Sequence, residues 1–264
     1  MNNWKKLAAA VILAGAVVMI QGCGGNGEEA KSMEKGRVWK AATEAAYPPF
    51  RYVDENRNLV GFEVDLLKEI GRRTGATIEF RDMPFDRLLD AVAGKQVDMA
   101  IGAITVTKER EKLVAFSDSY YRLSGYSLLV KKGNPPVRNE EELDGKVVAA
   151  KRGSTSEARA KAQNPKEIIS MDHYEDIFKA LEAGKADVGI TGDQAALYEL
   201  EHGGSSRLSL SGTIPTEDNF AIALSKDNSQ LKKEINEALK SMMDDGTYDS
   251  LAHKWFFVKA ADKE

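Results

Sequence analysis

From Arg37 onward, short apolar runs alternate with patterns of helical period. Val38 to Thr43 reads as a strand. A helix follows with Phe62, Leu66, Leu67 and Ile70 on one stripe, and then a second strand, Thr77 to Phe80. Phe85 to Ala93 reads as another helix ending at Gly94, a residue suited to the left-handed turn that closes helices, with Val97 to Ile101 as a buried strand behind it. This alternation is the signature of an α/β fold. Residues 178 to 190 repeat the design: Phe178 to Ile190 echoes Leu89 to Ile101, with Ala-Gly-Lys and an Asp leading into each strand. Two similar α/β lobes are the simplest inference. A strand from Gly125 to Val130 leads from the first block to the second, and Phe220 to Leu224 leads back. Two crossings make a hinge and a cleft, with ligands expected beyond the carboxyl ends of the strands.

Composition narrows the class. The chain has 264 residues, 42% hydrophobic and 30% charged, which excludes fibres, collagen and multi-pass membrane proteins. With 37 basic against 41 acidic residues it is mildly acidic, and nothing in its charge predicts nucleic-acid binding. Residues 1–22 read as a secretory signal: Lys5 and Lys6, an apolar run from Leu7 to Ile20, then small and polar residues. From Gly24 to Gly36 almost nothing is apolar, so residues 23–36 read as a flexible tether. Gly22, Gly24 and Gly27 match the dinucleotide-binding G-x-G-x-x-G spacing, but no strand and helix flank them, and we treat the match as false. His173, His202 and His253 form no visible triad, and no H-x-x-x-H or cysteine cluster suggests a metal. No cofactor is expected.

Ile20-Gln21-Gly22-Cys23 resembles the lipobox of bacterial lipoproteins, which implies cleavage before Cys23, the only cysteine, and lipidation of its thiol. The body resembles the extracytoplasmic solute-binding proteins of polar amino-acid ABC transporters. The matching stretches are Ala42 to Phe50, Gly61 to Leu66, Ile104 to Arg110, Phe116 to Tyr121 and Lys254 to Phe256, in the family's order. The resemblance implies a periplasmic-binding-protein-like type II fold: two α/β lobes joined by two hinge strands, with a ligand cleft between them. Lobe 1 is then residues 37–119 plus 221–258, lobe 2 residues 125–215, the hinges 120–124 and 216–220, and 259–264 a tail. It also implies a monomer that takes up a free amino acid and presents it to a membrane permease.

An amino acid brings a carboxylate, an ammonium and a side chain. For the carboxylate the resemblance points to Arg110, whose guanidinium fork can take both oxygens, helped by Ala103 and Thr105 in the preceding loop and by Thr155 of the other lobe. Thr107 reads as the N-cap of the Arg110 helix. Periodicity alone leaves Arg110 one charge among Lys108, Glu109, Glu111 and Lys112. For the ammonium the family normally has an Asp after the second-lobe strand; here that position falls on Gly192, and Asp193 stands one residue late, either as the ammonium partner or as the cap of its own helix. Tyr47 and Phe85 match the family's aromatic walls and Glu44 an acid at the end of the first strand, which together favour arginine, then lysine, with glutamine open. Without the resemblance, these would read as core aromatics and a surface charge. Trp39, Trp255 and Phe256 read as packing, and Tyr120 and Tyr121 as packing near the hinge. Competing readings are a cyclohexadienyl dehydratase on the same scaffold, with Glu44 or Asp193 as general acid, and a sensory surface lipoprotein.

Overall fold

In the computed structural model, which describes residues 36–257, the alternation resolves into two five-stranded sheets and a small third one. The expected secretory segment, Cys23, all of the expected tether but Gly36, and the expected tail lie outside the described residues. The chain runs β1 (Arg37–Thr43), β2 (Ala46–Tyr47), β3 (Arg51–Val53), β4 (Leu59–Val60), α1 (Phe62–Thr74), β5 (Ala76–Asp82), α2 (Leu88–Ala93), β6 (Met99–Ala100), α3 (Lys108–Glu111) and β7 (Ala115–Arg122). The second lobe holds β8 (Gly125–Lys131), β9 (Val147–Lys151), α4 (Thr155–Lys161), β10 (Glu167–Met171), α5 (Tyr174–Glu182), β11 (Val188–Gly192), α6 (Asp193–Glu201) and β12 (Leu208–Pro215). The chain then returns through β13 (Asn219–Leu224), α7 (Ser229–Asp244) and α8 (Thr247–Ala252).

The sheet orders are β5-β1-β6-β13-β7 and β10-β9-β11-β8-β12, and β2-β3-β4 form the small antiparallel sheet. In each large sheet three strands are parallel, and the fourth, antiparallel to its neighbours, is the strand that has just arrived from the other lobe: β13 in the first, β8 in the second. Tyr120 to Arg122 belong to β7, and Asn219 and Phe220 to β13, so the stretches outside the sheets are Leu123–Ser124 and 216–218.

The apolar stripe of α1 is fully buried, with Phe62, Leu66, Leu67 and Ile70 all at 0% exposure. At roughly 1.5–3 kcal/mol for each such side chain, this face fixes the helix against its sheet. The C-terminal segment completes the first lobe. Lys254 Nζ and Trp255 Nε1 both reach Asp65 Oδ2, at 2.7 and 2.9 Å, and Phe256 packs between Phe50, Phe62 and Tyr121.

The repeat extends to the backbone. Asp98 exchanges bonds with Lys40 of β1, its N–H on the Lys40 carbonyl and its carboxylate on the Lys40 N–H; Asp187 does the same with Val147 of β9. The turn that closes the first helix differs from the expectation at Gly94, whose φ is −78°; the left-handed residue is Lys95, at φ 56°. In α5 the aligned position is Gly184, at φ 68°, and both helices end with the same pair of carbonyl bonds, Lys95 and Gln96 onto Val92 and Ala91, Gly184 and Lys185 onto Leu181 and Ala180. The helix-end geometry therefore follows the repeat even where a lysine must take a conformation that costs roughly 1–2 kcal/mol. The expected strand Val97 to Ile101 is cut to Met99–Ala100, because the chain turns away at Gly102 into the site loop.

Candidate functional site

The parallel strands β1, β6, β9 and β11 end at the cleft between the sheets, and each end delivers a site residue. A small cavity lies there, about 20 Å³, well below the ~300–1,000 Å³ of small-molecule sites, so a ligand needs the cleft to open around it. Of the residues expected from the sequence, Tyr47, Phe85, Ala103, Thr105, Arg110 and Thr155 line it; Glu44 and Asp193 do not.

Arg110 is positioned by its own short helix, capped by the Thr107 hydroxyl, which accepts the Arg110 N–H at 3.2 Å. Its guanidinium donates to the Thr105 carbonyl at 2.8 Å and, across the cleft, to the Gly153 carbonyl at 3.1 Å, and lies 5.7 Å from the Phe85 ring centroid. Among the described residues no carboxylate forms an ion pair with it, and burial pushes its pKa down from the ordinary arginine value. A half-buried cation with fork donors to spare and no counter-ion is suited to take an anion. Beside it the Thr105 and Thr155 hydroxyls meet at 3.2 Å from opposite lobes, and Tyr126 OH lies 2.7 Å from Thr155 Oγ1.

The aromatic walls are a cross-lobe set. Tyr47 stacks on Tyr174 with centroids 4.0 Å apart, and Phe85 faces the cavity on its own. Tyr174, missed from the sequence, had a signal: carried back to the start of each helix, the repeat pairs Phe85 with Tyr174. The same symmetry pairs Ala103 with Gly192, both lining the cavity. Ala103 holds a left-handed φ of 51°, fixed by its N–H on the buried Glu63 carboxylate at 2.7 Å. Glu63 also accepts from Arg51 Nη1 and Tyr120 OH, so the floor of the site rests on a buried polar network.

Two expectations need correction. Glu44 does not stand free to neutralise a ligand cation: it is buried, and its Oε1 accepts from Lys151 Nζ at 2.6 Å. Lys151 ends β9 as Glu44 follows β1, so the pair is again related by the repeat. The ammonium also donates to the Asp172 carbonyl and lies 5.9 and 6.0 Å from the Phe85 and Tyr174 ring centroids. Glu44 Oε2 is left buried without a hydrogen-bond partner. Asp193, for its part, turns to Ser124 Oγ and to the N–H of Gln194, which makes it a first-turn carboxylate of α6 that reaches the hinge segment. The cavity is lined instead by Gly192, where an added Cβ would lie 2.6 Å from Tyr47 OH.

Among the described residues no group of three or more His, Cys, Asp and Glu could hold a metal ion, and no helix is long and apolar enough to cross a membrane. Two lobes built on mixed sheets, joined by two crossings over a cavity with a fixed cation and aromatic walls, define a ligand-binding protein of the bilobal class.

The model of the bacterial extracellular solute-binding proteins, family 3, matches residues 39–258, and the chain belongs to that family. The arginine-binding extracellular protein ArtP of Bacillus subtilis strain 168 is 33% identical over 97% of this chain and 98% of its own length. Among solved structures, an ancestral arginine-binding protein bound to arginine superposes with a TM-score of 0.79 at 36% identity, covering 83% of this chain and 98% of that one. An ancestral arginine-binding protein bound to glutamine matches with a TM-score of 0.79 at 37% identity, over 83% and 97% of the two chains. These relatives are amino-acid-binding proteins and not enzymes, and the chain is an amino-acid-binding protein of the ABC-transporter type.

Proposed function

We propose that this protein captures arginine outside the cytoplasm, delivers it to an ABC permease, and is held at the membrane through a lipidated Cys23. The observation that carries the reading is the unpaired Arg110 guanidinium between the two lobes. A ligand carboxylate takes the fork, with the Thr105 and Thr155 hydroxyls beside it; Phe85 and the Tyr47–Tyr174 stack flank the ligand side chain, whose guanidinium they attract through their ring faces. Because the contacts come from both lobes, binding stabilises the closed arrangement, and closure is the signal a permease can read. The arginine-binding relatives support the choice of ligand.

A second reading, glutamine, is favoured by one observation. Beyond the Phe85 and Tyr174 rings, Lys151 on Glu44 makes a neutral pair with an acceptor, Glu44 Oε2, next to an ammonium, which suits a primary amide. For arginine to bind, its guanidinium must share or displace Lys151. Glu44→Gln separates the two readings. If arginine is the ligand, the substitution weakens arginine at least about tenfold more than glutamine, as expected for loss of a charge-assisted hydrogen bond. Equal losses, measured by titration calorimetry, would contradict the arginine reading.

A further inference from the structure

An amino acid bound at Arg110 carries an ammonium on the same carbon as its carboxylate, and neither acid expected nearby can meet it. Gly192 has no side chain, Asp193 is committed to Ser124 and its own helix, and Glu44 is neutralised by Lys151. What the sheet sets beside Gly192 is Tyr126. The two are direct partners on antiparallel β11 and β8, and directly opposed residues project from the same face of a sheet. The phenol of Tyr126 therefore stands on the face where a side chain at position 192 would have stood, and it lines the cavity.

Tyr126 OH donates to Asp218 Oδ2 at 2.5 Å, and Thr155 Oγ1 lies 2.7 Å from the same oxygen. A phenol has one proton. With that proton committed to Asp218, Thr155 must be the donor in the second contact, and the remaining lone pair of Tyr126 is an acceptor. Burial, and then the bond to Asp218, push the Tyr126 pKa up to about 12, so the phenol keeps its proton at neutral pH. Asp218 is itself held in place: it lies in the second crossing, its carbonyl accepts the N–H of Leu123 from the first crossing at 2.9 Å, and its N–H meets Thr216 Oγ1 at 3.3 Å. The Arg159 guanidinium lies 5.3 Å from the Tyr126 ring centroid and donates to the same threonine, which steadies the ring.

We infer that the Tyr126 hydroxyl oxygen accepts an N–H from the ligand's α-ammonium, and that Asp218, acting through Tyr126 as a positioning residue, supplies the negative charge that the second-lobe strand end lacks. The inference rests on the reading of the cleft as an amino-acid site. It places recognition of the ammonium at the junction of the two crossings, so that the group telling an amino acid from a plain carboxylic acid is fastened to the hinge.

The test is titration calorimetry of the full chain and of Asp218→Asn and Tyr126→Phe with two ligands, arginine and 5-guanidinopentanoate, which is arginine without its α-amino group. Both substitutions are expected to weaken arginine at least about tenfold and to leave the deaminated ligand within about twofold of its wild-type affinity. A structural role would weaken both ligands alike, and that result overturns the inference, as does unchanged arginine affinity in either folded variant. If the unsubstituted protein prefers glutamine, the same comparison is run with glutamine and its deaminated form, with the same two outcomes. An unsubstituted, folded protein that binds no amino acid overturns the amino-acid reading itself, and the ammonium assignment with it.

Discussion

Arg110 shows how a site residue can be legible and its setting not. Its position in the sequence, after Thr107 and before a run of mixed charges, reveals a capped helix, but not that the guanidinium reaches Gly153 on the opposite lobe. The hydrogen bonds of its guanidinium to the protein go to two carbonyls, so its removal subtracts little from the fold. Arg110→Ala is expected to lower amino-acid affinity at least about a hundredfold while the thermal unfolding midpoint stays within a few degrees. Affinity retained in the folded variant, by calorimetry, would reject its role. Gly192 makes the complementary case. Its backbone is ordinary, at φ −62°, and what demands glycine is the Tyr47 hydroxyl lying where a Cβ would be. Gly192→Ala is expected to weaken ligand binding about tenfold or more by displacing Tyr47, with little effect on α6; calorimetry and the melting curve measure the two effects separately. The ion pair that Glu44 makes was illegible for a reason no local pattern holds. Its partner Lys151 is distant in sequence and belongs to the other lobe, and only the fold brings a buried cation to a buried acid.

At the scale of elements, periodicity found α1 and the strands around it because their buried faces are continuous. It ended α2 correctly at Ala93 but put the left-handed residue at Gly94 and not Lys95, because glycine is the better left-handed residue; the hydrogen bonds follow the repeat and not the local preference. α1 also carries an acid-sensitive group. Arg72 first, and Arg73 with it, bind the Glu69 carboxylate at 2.7–2.8 Å and bring its pKa down from 4.5 to about 2. A carboxylate whose pKa is lower in the folded state contributes stability that is fully present above its unfolded value and is lost as pH falls through the folded one. The stabilisation should therefore decline between roughly pH 5 and pH 2. These arginines are partly solvated, so its size is about 0.5–1 kcal/mol. Glu69→Gln is expected to lower stability by that amount at pH 7 and to flatten this part of the acid limb, as read by denaturant melts across the pH range. An unchanged acid limb would show the cluster to be energetically idle.

At the scale of the whole molecule, the two-lobe plan was written in the repeat of Leu89 to Ile101 at Phe178 to Ile190, and the structure shows what the repeat is for. Related positions in the two lobes meet at the cleft: Phe85 and Tyr174, and Ala103 and Gly192, line the cavity, and Glu44 and Lys151 pair with each other. Tyr174 and Lys151 went unread because they come from the second copy, where no motif marks them. The central claim is that the lobes close on a free amino acid, and titration calorimetry on the full chain, unfolded and refolded to strip any bound ligand, tests it most directly. Arginine, lysine, histidine, glutamine, glutamate and several neutral amino acids would be titrated separately. Arginine is expected to bind with a dissociation constant near micromolar or tighter, about −8 kcal/mol. A folded protein that binds none of them would contradict the account.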